Sequence, residues 1–350
     1  MGMLDTRRGK AMRFACEKAI ANGVSNINPL FWKMVEKWKN VRYGAGGSTY
    51  DWLIRKALPT ATTRVGRPLE TRTFAERDAK DKPSVAWHST EATAAINEGD
   101  YQQNRANETK LYNMFADEAE DAQAAIYVAL SLGMWAPNET SQPGGLSLVA
   151  DPEGGTLTSS YAGLSRVLAT NPHWSPPDND YGALTIAANA MEIITNCAGD
   201  VTKSAKASGQ GAVVRPDFAA FSKASWDQLQ VWIATKTTWL ANAGGPKNDA
   251  MFEAGFPNVR IYGCDCFWDD DFGGALNYID GVAAEEFVVG SSKMITLATT
   301  HTKAEGLVTS VVSEGDSGPL AALLAGSVAV FKAYWTLKFT SPIFFTCAYT

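Results

Sequence analysis

Apolar residues recur at spacings of three and four along the stretch that begins at Tyr101. Leu111, Met114, Phe115, Ala119, Ala122, Ile126 and Ala129 follow one another with acidic residues between them, up to Gly133. This pattern predicts one amphipathic helix of about 30 residues, roughly 45 Å long at the helical rise. The same spacing predicts a second helix over Tyr181 to Lys206, with Leu184, Ala187, Ala188, Met191, Ile194 and Ala198 on its face, and a third over Lys223 to Leu240. A shorter helix fits Lys10 to Asn22, with Met12, Cys16, Ala19 and Ile20 on one stripe. Residues 136–180 are rich in Gly, Pro, Asn and Ser and predict loops with short strands. Gly211 to Val214 reads as a short strand stopped by Pro216. After Pro257 the pattern turns to strands, at Val259 to Cys266, Glu286 to Val289 and Met294 to Ala298, and the chain closes with Val328 to Phe339 and Pro342 to Tyr349.

Two stretches depart from this pattern. The first 50 residues carry only scattered apolar anchors, Phe14, Phe31, Trp32 and Trp38 among them, and break at Gly44 to Ser48. They read as an arm without a core of its own. From Arg64 to Lys82, 10 of 19 residues are charged, and only Val65, Leu69 and Phe74 are large and apolar. Strand-like flanks at Trp52 to Ile54 and Ser84 to Trp87 make this stretch the tip of a long projecting hairpin.

Charge sharpens the contrast. The 350-residue chain has a net charge of −6, but residues 1–80 hold a surplus of +9 and the rest a deficit of −15. An asymmetry of this kind points to an anionic partner for the basic segment, either nucleic acid or the acidic remainder of a neighbouring copy. With 45% hydrophobic and 19% charged residues the chain can bury a sizeable core, which excludes disorder as a class. No apolar run reaches the ~20 residues that span a bilayer, and the residues after Met1 lack the apolar stretch of a secretory signal. Five scattered cysteines do not form a disulfide framework and suggest a reducing compartment.

Candidate chemistry is sparse. Gly315-Asp316-Ser317-Gly318-Pro319 resembles the nucleophile motif of trypsin-like proteases, and a hydrolase using Ser317 would need a base such as His173. His173 sits in Asn171-Pro172-His173-Trp174, which is not that family's histidine setting, and a turn is the simpler reading of the motif. Cys264-Asp265-Cys266 places two thiols on one strand face, but the three histidines of the chain are not nearby, so a buried apolar face is expected there. Trp268-Asp269-Asp270-Asp271 lacks the spacing of a calcium loop and reads as an acidic turn. Gly44 to Gly47 is not followed by the Lys-Ser pair of a phosphate cradle. No set of residues calls for a cofactor or a catalytic role.

The order of parts is similar to that of the major capsid proteins of tailed bacteriophages. Ser84 to Asn104 resembles the return strand of that family's extended loop and the start of its spine helix. Tyr161-Ala162-Gly163-Leu164-Ser165-Arg166 with Asn171-Pro172-His173-Trp174 resembles a Gly-Leu-x-Arg…Asn-x-x-Trp signature of one branch. Val214-Arg215-Pro216-Asp217 with Trp226, and Ala254-Gly255-Phe256 before Val259, resemble later passages of that branch. The resemblance implies an α+β fold of the Hong-Kong-97 type. It divides the chain into an N-terminal arm (1–50), an extended hairpin loop (51–99), a peripheral domain with the long spine helix (100–177), an axial domain (178–318) and closing strands of the peripheral domain (319–350). It implies a shell subunit of the virion, made in the host cytoplasm, that forms pentamers and hexamers around double-stranded DNA. Separate scaffold, portal and decoration proteins would be its partners, with no membrane, metal or cofactor. An encapsulin-like compartment of the same fold is the alternative. Phe14, Trp32, Trp38, Arg64, Arg67, Arg72 and Arg77 are the expected inter-subunit contacts.

Overall fold

Strands made almost wholly of Phe, Val, Ala and Cys must be covered on both faces, and in the computed structural model they are. Six strands form one sheet in the order Asn258–Ile261, Cys264–Trp268, Phe218–Phe221, Phe287–Gly290, Phe345–Tyr349 and Asn179–Asp180. All residues of Phe218–Phe221 and of Phe287–Gly290 are buried. Side chains alternate across the sheet between two apolar clusters. Phe218, Ala220, Phe267, Val288, Phe345 and Cys347 belong to one, and Ala219, Phe221, Cys264, Cys266, Phe287, Val289 and Ala348 to the other. The second cluster is closed by helix Ile186–Ala207, through Ile186, Ile193, Ile194 and Cys197, and by helix Lys223–Thr235, through Trp226, Leu229 and Trp232. Ser222 starts the latter helix, its Oγ accepting the Ser225 N–H at 3.3 Å.

The first cluster continues into a five-stranded sheet built on the 14-residue strand Gly326–Phe339. Ile295–Thr299 and Thr309–Ser313 follow one another along one edge of that strand, and His88–Asn97 runs antiparallel along the other. Val41–Arg42 adds a parallel strand beyond Ile295–Thr299. The 26-residue helix Glu108–Gly133 packs on His88–Asn97 and Gly326–Phe339 and buries Ala116, Ala119, Ala122, Ile126 and Leu130. It ends at Gly133, where a Cβ would run into the Trp335 indole. The structure describes residues 29–56, 80–97, 103, 108–140, 142–151, 160–177, 179–182, 184–207, 215–235, 258–269, 271–272, 286–313 and 326–349. The helix expected at 10–22, the strand at 211–214, the tip of the hairpin and the Gly315 to Pro319 motif lie outside these residues.

Several expectations need correction. The run from Val259 to Cys266 is two antiparallel strands, because Tyr262 and Gly263 take left-handed backbone angles (φ 51° and 86°) and turn the chain between them. Phe218–Phe221, read from sequence as the chain beyond a stop at Pro216, is an inner strand of its sheet. Ile295–Thr299 and Thr309–Ser313 pair with Gly326–Phe339, whereas the last strand, Phe345–Tyr349, joins the six-stranded sheet beside Phe287–Gly290.

Gly290 pairs with Phe218 on one side and Phe345 on the other, and a Cβ there would collide with the Phe345 ring at 2.4 Å and press on the Phe218 ring at 3.1 Å. Although alanine suits a strand better than glycine, Gly290→Ala is expected to lower folding stability by about 1–3 kcal/mol in chemical denaturation. A loss below about 0.5 kcal/mol would show that the two rings can move aside.

Candidate functional site at the roots of the arm and the loop

The arm enters the body through residues 29–38, a turn of α-helix (Pro29–Trp32) that continues as a π-helical turn (Lys33–Lys37). This corrects the reading of an arm without a core. Leu30, Phe31 and Met34 are fully buried in the larger apolar cluster, and the Phe31 ring meets Tyr127 of the long helix edge-on at 6.2 Å. The spacing explains the docking. Residues 30, 33 and 37 share one helical face, and they meet residues 269, 267 and 265 on one face of the strand region Cys264–Asp269. The Leu30 N–H donates to Asp269 Oδ2 at 3.3 Å, Lys33 Nζ lies 3.8 Å over the Phe267 ring, and Lys37 Nζ pairs with Asp265 Oδ2 at 2.6 Å. The opposite face of the strand carries Cys264 and Cys266, buried as the sequence predicts. Asn40 then donates to the Ser292 carbonyl at 2.6 Å, and its own carbonyl accepts the Leu297 N–H at 2.9 Å.

Two groups here titrate far from their usual range. Lys33 is fully buried with no hydrogen-bond acceptor for its Nζ, and burial lowers it to about 7. Asp269 is fully buried, and burial, followed by the charge of Asp271, pushes it up to about 7. The acidic turn expected at 268–271 is therefore partly interior.

The extended loop leaves the body through two short ladders, Thr49–Asp51 with Ser84–Ala86 and Ile54–Arg55 with Lys80–Asp81. Asp81 is held between Lys56 Nζ at 2.8 Å and His173 Nε2 at 3.0 Å, and Lys82 pairs with Asp51 at 2.7 Å. Burial alone would raise the Asp81 carboxyl, but the bonds from Lys56 and His173 hold it below the usual carboxylate range. Behind the ladders runs a chain of ring contacts, Tyr50 to Trp52 at 6.4 Å, Trp52 to Trp174 at 6.5 Å, Trp174 to Tyr161 at 5.9 Å and Tyr161 to Phe339 at 6.0 Å. The signature residues around 161–174 build this platform. Ala162 and Gly163 form the left-handed turn, and Arg166 donates to the Asp151 carbonyl at 2.6 Å. Asn171 Nδ2 donates to the Ser165 carbonyl at 3.0 Å, and Trp174 Nε1 to the Tyr161 carbonyl at 3.2 Å.

Of the expected contact residues, Trp38 packs on Phe218 of its own chain at 5.3 Å, and Trp32 is half-buried beside it in the arm root. Phe14, Arg64, Arg67, Arg72 and Arg77 lie outside the described residues, as does Ser317. His173 is engaged with Asp81 at the loop root. A cleft of about 430 Å³ beside helix Ile186–Ala207 is lined by Asn179, Tyr181, Leu184, Ile193, Cys197 and Asp200. Its thiol is no nucleophile at neutral pH, because burial pushes Cys197 up to about 12. Among the described residues no cluster of His, Cys, Asp and Glu could hold a metal ion, and no helix is long and apolar enough to cross a membrane.

No protein-family model matches the sequence, and no curated protein does. Solved structures do match. The chain aligns with the capsid of a native GTA particle at a TM-score of 0.53 and 12% identity, over 90% of each chain. It aligns with a subunit of the cyanophage A-1(L) capsid at a TM-score of 0.52 and 10% identity, over 92% of each chain. The fold is thus the α+β capsid fold of the Hong-Kong-97 type, as the order of parts in the sequence suggested.

The Lys33 shift has a definite sign. Between about 7 and 10.5 the unfolded chain takes up a proton that the folded protein refuses, so stability falls as pH drops through that window, and the full penalty persists below it. Lys33→Met removes the penalty and keeps the volume. It should stabilise the protein at pH 7 by on the order of 2–4 kcal/mol, with the gain shrinking toward pH 10. Thermal melts of both proteins across pH 6–10 check this, and a gain independent of pH would assign it to packing alone.

Proposed function

We propose that this chain is a major capsid protein, a structural subunit that assembles with copies of itself, as pentamers and hexamers, into the icosahedral shell of a tailed phage or a phage-derived particle enclosing double-stranded DNA. The observation that carries the reading is the capsid fold, shared over at least nine-tenths of the chain with two shell subunits from different particles. The site geometry supports it. The two roots, residues 29–43 and the paired ladders at 49–55 and 80–86, are rigidly built within one chain, the arrangement needed to hold neighbours at fixed angles. The one histidine–carboxylate pair at these roots has a structural job, bracing the loop through Asp81. The reading makes the protein a virion component without enzymatic activity. It leaves packaged DNA to non-specific contacts, which suits an acidic chain, with separate portal, scaffold and decoration proteins as further proposed partners.

Expression of the chain, alone and with its neighbouring genes, followed by electron microscopy and assay of nuclease-protected nucleic acid, tests the proposal. Closed particles with DNA are the expected result. Closed particles holding protein cargo and no DNA would favour the encapsulin-like alternative, and a soluble monomer under all conditions would remove both. The arm root adds a second expectation. Removal of residues 1–28 leaves the Leu30 bond to Asp269 and the Phe31 packing on Tyr127 in place, so the body should fold while regular particles are lost. Removal of residues 1–38 should also destabilise the body itself, by about 3 kcal/mol or more from the emptied core sites. Melting temperatures of the two truncations separate these outcomes.

A further inference from the structure

Several cations of the body are closely paired. Lys37, Lys56, Lys82, Lys223 and Lys332 each hold a carboxylate within 3.0 Å. Arg42 and Lys338 do not, and among the described residues no carboxylate forms an ion pair with either. They lie together on the face of the five-stranded sheet turned away from the long helix. Arg42 pairs with Ala298 and Ala298 with Thr336, which puts these three in one row, and Lys338 is two residues further along the same strand and face. The two cations are seated on the aromatic residues of the loop root. Arg42 Nη1 donates to the Tyr50 hydroxyl at 3.0 Å, and Lys338 Nζ lies 5.5 Å over the Trp52 ring. Burial, and after it the charge of Arg42, holds the Lys338 ammonium below the usual lysine range. Thr336 between them is fully buried and its hydroxyl has no partner. An exposed guanidinium and a half-buried ammonium thus stand side by side on this platform with no counter-charge among the described residues.

We infer that Arg42 and Lys338, seated on Tyr50 and Trp52, form a receptor for a carboxylate side chain of a second copy of this chain. This deepens the shell reading and rests on it. Charge favours that occupant. Residues 81–350 carry a deficit of −15, and the long helix alone exposes Asp117, Glu118, Glu120 and Asp121. Two adjacent cations match one carboxylate, whereas sequence-independent binding to a nucleic acid backbone draws on many phosphate contacts at once. The position also suits an interface. The receptor joins the strand that follows the arm root to the first strand of the loop root, so a neighbour bound there would brace both projections at once.

The test uses the full chain under conditions where the wild type forms particles. Arg42→Glu with Lys338→Glu should leave a folded subunit, with circular dichroism unchanged and the melting midpoint close to that of the wild type, but at least tenfold fewer closed particles by sedimentation and electron microscopy. Arg42→Lys with Lys338→Arg, which keeps both charges, should assemble. A zero-length carbodiimide applied to wild-type particles should join Lys338 to an Asp or Glu of another copy, identified by mass spectrometry of the dimer band. Normal particle yield from the double reversal, or cross-links at other lysines but none between copies at Lys338, would overturn the receptor while leaving the shell reading intact. Normal shells that hold less DNA would assign the two cations to phosphate and likewise overturn it. Failure of the wild type to form particles would remove the shell reading, and the receptor with it.

Discussion

The inner strands of the six-stranded sheet are buried on both faces, and that constraint organises the molecule. A doubly covered sheet cannot tolerate polar side chains without partners, yet one strand region presents Asp265 and Asp269 on a single face. The helical segment 29–38 resolves this by laying Leu30, Lys33 and Lys37 along that face, so that a backbone N–H and an ammonium meet the two carboxylates. The arm root is therefore a structural lid over the body's own core before it is anything else. Its burial of Leu30, Phe31 and Met34 ties the six-stranded sheet to the long helix through Tyr127. The cost of that lid is a lysine carried into the interior and an aspartate whose carboxyl burial pushes up to about 7.

The loop root follows the same logic with rings in place of apolar helix residues. Short ladders of two and three residues are weak by themselves. Here they are backed by Tyr50, Trp52, Trp174 and Tyr161, and pinned by Asp81 between a lysine and a histidine. Trp52 also donates to the Thr340 carbonyl at 3.0 Å, and the Phe339 N–H donates to the Tyr161 hydroxyl at 2.9 Å, so the root is anchored to the end of the central strand. The residues that made the sequence resemble a capsid protein between 161 and 174 thus act by building this platform.

The long helix, the helices Ile186–Ala207 and Lys223–Thr235 and the closing strands were legible because each has one covered face or a length that only one element satisfies. Phe218–Phe221 was not, since a strand covered on both sides shows no alternation, and four residues after Pro216-Asp217 give too short a run to separate from a loop. The turn at Tyr262–Gly263 was hidden for a related reason. Tyrosine is a strand former, and nothing in its side chain announces the left-handed backbone that breaks the run. The arm root misled in a different way. Lys33 and Lys37 make segment 29–38 look solvated, whereas the partners that permit their burial lie more than 225 residues away in sequence. The candidate site was legible as a set of segments, and the contacts that fix its geometry were not, because Asp81, His173, Thr340 and Lys338 come together only through the fold.

The placement of the roots changes what the projecting segments have to accomplish. An arm attached at residue 50 would need to order about fifty residues on a neighbour, at roughly 1–2 kcal/mol of backbone entropy for each. With residues 29–43 already fixed in the body, that demand falls on a much shorter stretch. The same holds for the loop. Ile54–Arg55 and Lys80–Asp81 are paired within one chain, so the entropy of bringing the two ends of segment 57–79 together is met on folding of the subunit and not on assembly. In the proposed shell, contacts between copies then need to supply only the remaining ordering cost, and each can be individually weak. A shell that repeats one weak contact in every subunit gains its stability by number, while each contact stays reversible enough for misplaced subunits to leave.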